Sequence, residues 1–206
     1  DMGVTNGVET TEGLQFQPEK NITRGEFAAV CARFDDSKVK TTETYSDING
    51  YWAANEILRA AALGWVQGYQ DGSYRPNNSI TRQQVWMILA RLSGADPADM
   101  TEAREWAMTN GISDGTIPGN PVTRQQLVAL LYRYADMMGY ANDRRADLSG
   151  FPDAETVSSY AVEPMQWSVA NGIVGGTSAG TLDPTGTATR AQFAVILYRF
   201  WNQIER

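Results

Sequence analysis

Residues 81–92 read TRQQVWMILARL, and related forms of this stretch begin at three other threonines of the 206-residue chain, Thr23, Thr123 and Thr189. Counted from the fourth residue after each threonine, apolar residues stand at relative positions 0, 3, 4 and 7 in all four copies. That spacing places them along one face of an α-helix. The sequence therefore predicts four amphipathic helices of one kind, which we call the B helices of copies 1 to 4.

Three of the B helices are preceded by a second amphipathic segment, which we call an A helix and expect to end at a glycine. The predicted A helices cover 52–63, about 101–110 and 160–171, and are followed by Gly64, Gly111 and Gly172. Glycine is common just after a helix because it adopts the left-handed conformation without strain. We therefore expect a mainly α-helical chain of tandem helix-loop-helix repeats. The expected divisions are a partial repeat at 1–40 that contains only the second half, a repeat at 41–94, a shortened repeat at 95–140 and a repeat at 147–206.

The threonine that begins each B helix is followed three residues later by Glu or Gln. This is the pattern of a capping box, in which the two side chains satisfy backbone N–H groups at the helix start. We therefore expect a structural, helix-capping role for these residues. The pairs are Thr23 with Glu26, Thr81 with Gln84, Thr123 with Gln126 and Thr189 with Gln192.

An arginine follows each of these threonines, and its recurrence is harder to explain. A cation in the first turn lies beside the positive end of the helix dipole, which is unfavourable by about 0.3–1 kcal/mol at an exposed site. One use for it is to bind a carboxylate or phosphate together with the free N–H groups of the helix start. The alternative is an ion pair with a neighbouring copy, for instance with Asp47 or Asp153, and residue chemistry leaves both interpretations open. The residues concerned are Arg24, Arg82, Arg124 and Arg190.

A second arginine recurs nine residues after the first. It lies beside the apolar stripe near the end of each B helix, where it suits the helix dipole and its stem can cover apolar surface. We therefore expect a structural use for it. These residues are Arg33, Arg91, Arg133 and Arg199.

Composition excludes several classes of function. The chain has no histidine and one cysteine, so triads, Cys-His pairs and histidine-ligated metal sites cannot form. We expect no catalytic residue, metal or cofactor, and we expect Cys31 to fill a leucine-like buried position. The net charge of -7 argues against nucleic-acid binding, and no apolar run is long enough to span a membrane. Because Asp1-Met2-Gly3 does not open a signal peptide, we expect a processing boundary there.

Together these features resemble tandem S-layer homology (SLH) domains. The resemblance rests on the four Thr-Arg-x-Glu/Gln helix starts, on the loop 68–76, which reads GYQDGSYRP, and on the aromatic-x-Asp openings at 45–47 and 151–153. It implies a pseudo-threefold spindle with a central helix bundle. It also implies noncovalent anchoring to secondary cell-wall polysaccharide, often pyruvylated, in grooves between neighbouring repeats.

The resemblance also implies which residues bind the ligand and where the protein acts. We expect a noncatalytic anchoring module, extracellular at the bacterial cell wall or S-layer, with cell-wall polysaccharide as its partner. The alternative is a protein-interaction or lattice-assembly module whose partners are other surface-layer subunits. Because copy 3 has a shortened loop and no aromatic-x-Asp opening, we expect its groove to be degenerate. The expected ligand-binding residues are Arg24, Arg82, Arg124, Arg190, Trp65, Tyr69, Asp71 and Gly72.

Overall fold

The structure is a computed structural model that describes residues 8–10, 13–15, 22–32, 39–42, 44–177, 179–188, 192, 195–197 and 199–201. Its α-helices are α1 (Arg24–Ala32), α2 (Ala54–Ala62), α3 (Arg82–Leu92), α4 (Met100–Thr109), α5 (Arg124–Met137) and α6 (Val162–Ala170). Short 3-10 helices at Ala154–Thr156 and Ser159–Ala161 precede α6, and strands β1 (Val8–Thr10) and β2 (Gly13–Gln15) pair antiparallel. Residues 195–197 and 199–201 are also helical, and we call them the C-terminal helical segment.

The mainly α-helical fold predicted from the sequence is confirmed. The B helices are α1, α3, α5 and the C-terminal helical segment, and the A helices are α2, α4 and α6. Each A helix packs against the B helix of the preceding copy. The glycines after the A helices, at positions 64, 111 and 172, have φ angles of 75°, 67° and 68°, as the C-terminal glycine pattern requires. None of the described helices is long and apolar enough to cross a membrane.

Successive copies are joined by backbone hydrogen bonds at the start of each described B helix. The first N–H of the helix donates to a loop carbonyl of the next copy, and the pairs are Arg24 with Asn78, Arg82 with Asn120 and Arg124 with Gly186, at 2.8 to 3.0 Å. The second N–H donates to the carbonyl of the recurring loop proline, which is Pro76, Pro118 or Pro184, at 2.9 to 3.0 Å. The loop of one copy therefore caps the B helix of the copy before it.

The array of copies closes on itself just before the B helices. The N–H of Ile80 donates to the carbonyl of Ile22 at 3.1 Å, and that of Ala188 donates to Val122 at 3.3 Å. The N–H of Ile22 in turn donates to the carbonyl of Ala188 at 3.5 Å. This last bond brings copy 4 next to copy 1.

Four helical segments share the central core. One narrow apolar cavity is lined by Phe27 of α1, Leu89 of α3, Leu127 of α5 and Phe200 of the C-terminal helical segment. The fourth copy keeps the apolar stripe of the others, and the members of it that the structure describes, Ile196, Leu197 and Phe200, are buried. The pseudo-threefold spindle implied by the family resemblance is therefore not confirmed, because the fourth B segment packs in the same centre as the other three.

Candidate ligand-binding grooves

A groove forms wherever the start of a B helix meets the loop of the next copy. Groove 1 lies between copies 1 and 2 and contains Arg24, groove 2 lies between copies 2 and 3 and contains Arg82, and groove 3 lies between copies 3 and 4 and contains Arg124. These three arginine residues are 7%, 8% and 4% exposed, respectively. The helix-start arginines are thus inserted between repeats.

The B-helix starts offer few unused backbone donors. Their first two N–H groups are taken by loop carbonyls of the next copy. In copy 1 the N–H of Glu26 donates to Thr23 Oγ1 at 3.3 Å, and in copy 3 the N–H of Gln126 donates to Thr123 Oγ1 at 3.4 Å. At the starts of α1 and α5, the N–H groups that the sequence analysis considered as anion donors are therefore already hydrogen-bonded within the chain.

The Glu and Gln side chains complete the capping arrangement. Glu26 accepts from the N–H of Thr23 at 2.9 Å, and Gln126 accepts from the N–H of Thr123 at 3.0 Å. In copy 2 Gln84 accepts from the N–H of Thr81 at 3.0 Å, but the buried Thr81 hydroxyl has no partner among the described residues. The capping box predicted from the sequence is thus present in copies 1, 2 and 3, although in copy 2 the contact between the N–H of Gln84 and the Thr81 hydroxyl is not a well-formed hydrogen bond.

Groove 1 is filled by its own arginine and loop. Arg24 Nε donates to the carbonyl of Tyr74 at 3.0 Å, and Nη2 donates to the carbonyl of Gln67 at 2.9 Å. The guanidinium also lies 4.9 Å from the ring centroid of Tyr69 and 4.6 Å from that of Tyr74, within cation–π range. The cavity that remains measures about 20 Å³, which is room for about one water molecule. Arg24 therefore ties copies 1 and 2 together.

The loop residues predicted to bind ligand in copy 2 mostly build that loop. Hydrogen bonding from Ser73 and ion pairing with Arg75, at 2.8 Å, hold the pKa of Asp71 well below its usual range. Gly72 takes a φ of 77°, which suits glycine at this turn. Trp65 is partly buried and lines the small cavity of groove 1. The structure brings Trp65 and Tyr69 to groove 1 but uses Asp71 and Gly72 in the turn.

Groove 3 repeats the main contact of groove 1. Arg124 Nε donates to the carbonyl of Leu182 at 2.8 Å, and Leu182 stands at the loop position of Tyr74. Burial lowers the pKa of Arg124, while the charges of Asp183 and Asp153 oppose this shift. The predictions for Thr189, Arg190, Arg33 and the Cys31 side chain lie outside the described residues.

Groove 2 differs because the shortened loop of copy 3 provides no aromatic ring for its arginine. Arg82 Nη2 donates to Ser113 Oγ and to Asp114 Oδ1, both at 3.0 Å. Arg82 Nε is buried and has no hydrogen-bond partner in the part of the chain that the structure describes. The ion pair between neighbouring copies that the sequence analysis offered as an alternative is thus formed here, with Asp114 as the acid.

Groove 2 also contains a cavity of about 240 Å³. It is open partly because Ala129 stands where copy 2 has Met87. Arg133 lines it and donates from Nη1 to the carbonyl of Ile112 at 3.1 Å. Tyr160, which is 43% exposed, forms a wall with its ring centroid 6.0 Å from the Arg133 guanidinium. The expected degenerate groove therefore has far more free space than groove 1.

Sequence reasoning missed two residues of this cavity. Arg133 is a member of the second set of recurring arginines. The sequence analysis noted that recurrence but expected a structural use for it. Tyr160 lies just before α6 and stands the same distance from Gly172 as Trp52 does from Gly64, so an aromatic signal was present at this position but was not used.

Comparison with known proteins agrees with this repeat architecture. The family model for the S-layer homology domain matches residues 1–28, 44–85 and 150–194, which is more than half of the chain. The chain belongs to the S-layer homology family. The matched ranges leave out 86–149, which contains copy 3 and most of the groove 2 lining.

Relatives of the SLH chain include surface proteins and enzymes. An amylopullulanase of Thermoanaerobacterium thermosulfurigenes is 28% identical over 76% of this chain and 9% of its own length. The surface-layer 125 kDa protein of Lysinibacillus sphaericus is 27% identical over 75% of this chain and 14% of its own length. A cellulosome-anchoring protein of Acetivibrio thermocellus is 37% identical over 37% of this chain and 18% of its own length. The chain thus spans less than a fifth of each of these relatives.

The family assignment defines the general role of the chain. SLH is a noncatalytic anchoring domain, and the relatives of this chain include S-layer, cell-surface and cell-wall proteins. The chain is therefore a cell-surface anchoring module associated with the extracellular cell wall.

Proposed function

We propose that the SLH chain anchors by binding an anionic secondary cell-wall polysaccharide, such as a pyruvylated one, and that groove 2 is its principal binding site. The observation that carries this proposal is the cavity of about 240 Å³ lined by Arg82, Arg133 and Tyr160. It has room for a group the size of a sugar residue, whereas groove 1 does not. Arg24 and Arg124 then serve mainly to hold the repeats in the arrangement that forms the groove.

Both arginines of groove 2 have guanidinium N–H groups that make no hydrogen bond to the described residues. Arg82 uses Nη2 for Ser113 and Asp114, and Arg133 uses Nη1 for a backbone carbonyl. Among the described residues, no acceptor is hydrogen-bonded to their other guanidinium nitrogens. A guanidinium with free N–H groups beside a cavity suits a carboxylate, which it binds through two parallel hydrogen bonds. The exposed Tyr160 ring offers an apolar face for a sugar beside these charges.

An acidic protein can bind an acidic polymer under these conditions. The net charge of -7 repels a polyanion at long range, but at physiological ionic strength exposed charges are screened beyond about 8 Å. Inside the groove, the two guanidinium groups act at short range and in partial exclusion of water, where charge interactions are stronger. The local charge of the groove, and not the net charge of the chain, therefore determines whether the acidic polymer binds.

Replacing Arg133 with glutamine should weaken the binding of purified secondary cell-wall polysaccharide about ten- to hundred-fold, the effect of losing one charged hydrogen bond. Isothermal titration calorimetry measures this loss. The matched control is Arg144→Gln, because Arg144 is exposed and does not line the groove. Equal losses in the two variants would mean that only the overall charge matters. A lower melting temperature with unchanged affinity would assign Arg133 to packing, as the sequence analysis expected.

A further inference from the structure

One position after the A helix carries a different residue in each groove. It is Gln67 in groove 1, Asp114 in groove 2 and Gly175 in groove 3. Gln67 Oε1 accepts from Arg91 Nη2 at 3.1 Å, and a Cβ atom added at Gly175 would lie 3.9 Å from Arg199 Nη1. The position therefore faces the second recurring arginine in grooves 1 and 3. Of the three grooves, only groove 2 has a charged residue at this position.

Asp114 holds a fixed carboxylate at the edge of the groove 2 cavity. Its Oδ1 pairs with Arg82 Nη2 at 3.0 Å and accepts from the N–H of Thr116 at 3.0 Å, while Oδ2 accepts from the Thr116 hydroxyl at 2.9 Å. The side chain is still 64% exposed. Although partial burial acts to raise it, the pKa of Asp114 lies below its ordinary value because Thr116 and Arg82 favour the charged form. Asp114 is thus ionised at neutral pH.

A ligand that enters groove 2 meets two guanidinium groups and one carboxylate. The carboxylate repels a second anion placed next to it, and such a like-charge contact is a common source of specificity. A hydroxyl or amide N–H of the ligand, in contrast, can donate to the exposed carboxylate. The groove therefore favours a ligand that combines an anionic group with a neighbouring donor.

We propose that Asp114 is the specificity-determining residue of groove 2, so that the groove admits an acidic sugar and rejects polymers that carry carboxylates without hydrogen-bond donors. This inference rests on the proposed function, because it assigns selectivity to the same groove. The other two grooves, which have Gln67 and Gly175 at this position, lack the feature.

The test compares two polymers on the full chain by isothermal titration calorimetry. One is purified pyruvylated secondary cell-wall polysaccharide, and the other is polyacrylate, which has carboxylates but no donors. Asp114→Asn should increase the affinity for polyacrylate about ten-fold or more, because it removes the repelling charge and keeps the shape of the side chain. The affinity for the polysaccharide should rise less or fall, because the charged acceptor for its hydroxyl groups is lost.

Two further variants make the result decisive. Asp136→Asn changes the net charge equally at an exposed residue that does not line the groove, and it should leave polyacrylate binding unchanged. Asp114→Gln, which introduces the residue of copy 2, replaces Asp114→Asn if that variant does not fold. If the folded Asp114 variant still excludes polyacrylate, the inference about Asp114 is wrong, whereas the proposed function is not affected. If the unaltered chain does not bind the polysaccharide, the proposed function is wrong. Even then, a gain of polyacrylate binding by Asp114→Asn would support the role of Asp114 in excluding polyanions that lack hydrogen-bond donors.

Discussion

Replacing Phe200 with alanine should lower the free energy of unfolding by about 3–5 kcal/mol, the range observed when a buried aromatic ring is removed from a core. Phe200 is 0% exposed, and its ring centroid lies 6.4 Å from those of Tyr134 and Trp167. The cost is high because the surrounding helices are packed on several sides and cannot fully close the space left behind. Denaturant-induced unfolding of the two chains measures the difference.

The reference variant for this prediction is Leu127→Ala in α5. Leu127 is also 0% exposed and lines the same central cavity, so its removal should lower the free energy of unfolding by about 2–5 kcal/mol. Similar losses would show that the C-terminal helical segment belongs to the core as fully as α5 does. A loss below about 1 kcal/mol for Phe200→Ala, beside a large one for Leu127→Ala, would place that segment outside the core.

Replacing Ala129 with methionine should strongly weaken polysaccharide binding while the fold stays intact. Ala129 is 2% exposed and lines the cavity of about 240 Å³. Copy 2 has Met87 at this position, and the cavity of groove 1 measures only about 20 Å³. The longer side chain occupies part of groove 2 without changing a charge and obstructs the space between Arg82 and Arg133, so affinity should fall about 100-fold, or about 3 kcal/mol. Titration calorimetry measures affinity, and thermal unfolding reports whether stability is kept.

Met87→Ala is the reciprocal control for this prediction. Met87 is 3% exposed and lines groove 1, so its truncation should reduce stability by about 2–5 kcal/mol. Polysaccharide affinity should stay within about two-fold of the parent, since groove 2 is unchanged. Undiminished binding by Ala129→Met would exclude groove 2 as the principal site and direct attention to the other grooves.

The sequence predicted each helix well but not the number of helices in the core. The apolar positions at intervals of three and four residues and the glycines after the A helices gave α2, α4 and α6 to within two residues. Periodicity describes one segment at a time, however, and does not say how many segments meet. The bond from Ile22 to Ala188 joins distant parts of the chain, and no local pattern predicts it.

The sequence pointed to grooves between the repeats, but it did not show which groove is filled by protein side chains and which is open. The sequence analysis singled out the recurring arginines, and the structure shows that Arg24, Arg82 and Arg124 contact the loop of the next copy. Whether an arginine is enclosed or faces open space depends on the loop that reaches it and on the volume of one facing side chain. The exchange of Met87 for Ala129 is visible in the aligned copies, but its effect on cavity volume depends on tertiary packing.

Retention of the chain on bacterial cell walls tests the central claim most directly. The measurement is cosedimentation with sacculi from a Gram-positive bacterium, before and after the secondary polysaccharide is stripped from the peptidoglycan. We expect the chain to sediment with the intact walls and to remain in the supernatant with the stripped ones. Equal sedimentation with stripped and intact walls would contradict binding to the polysaccharide.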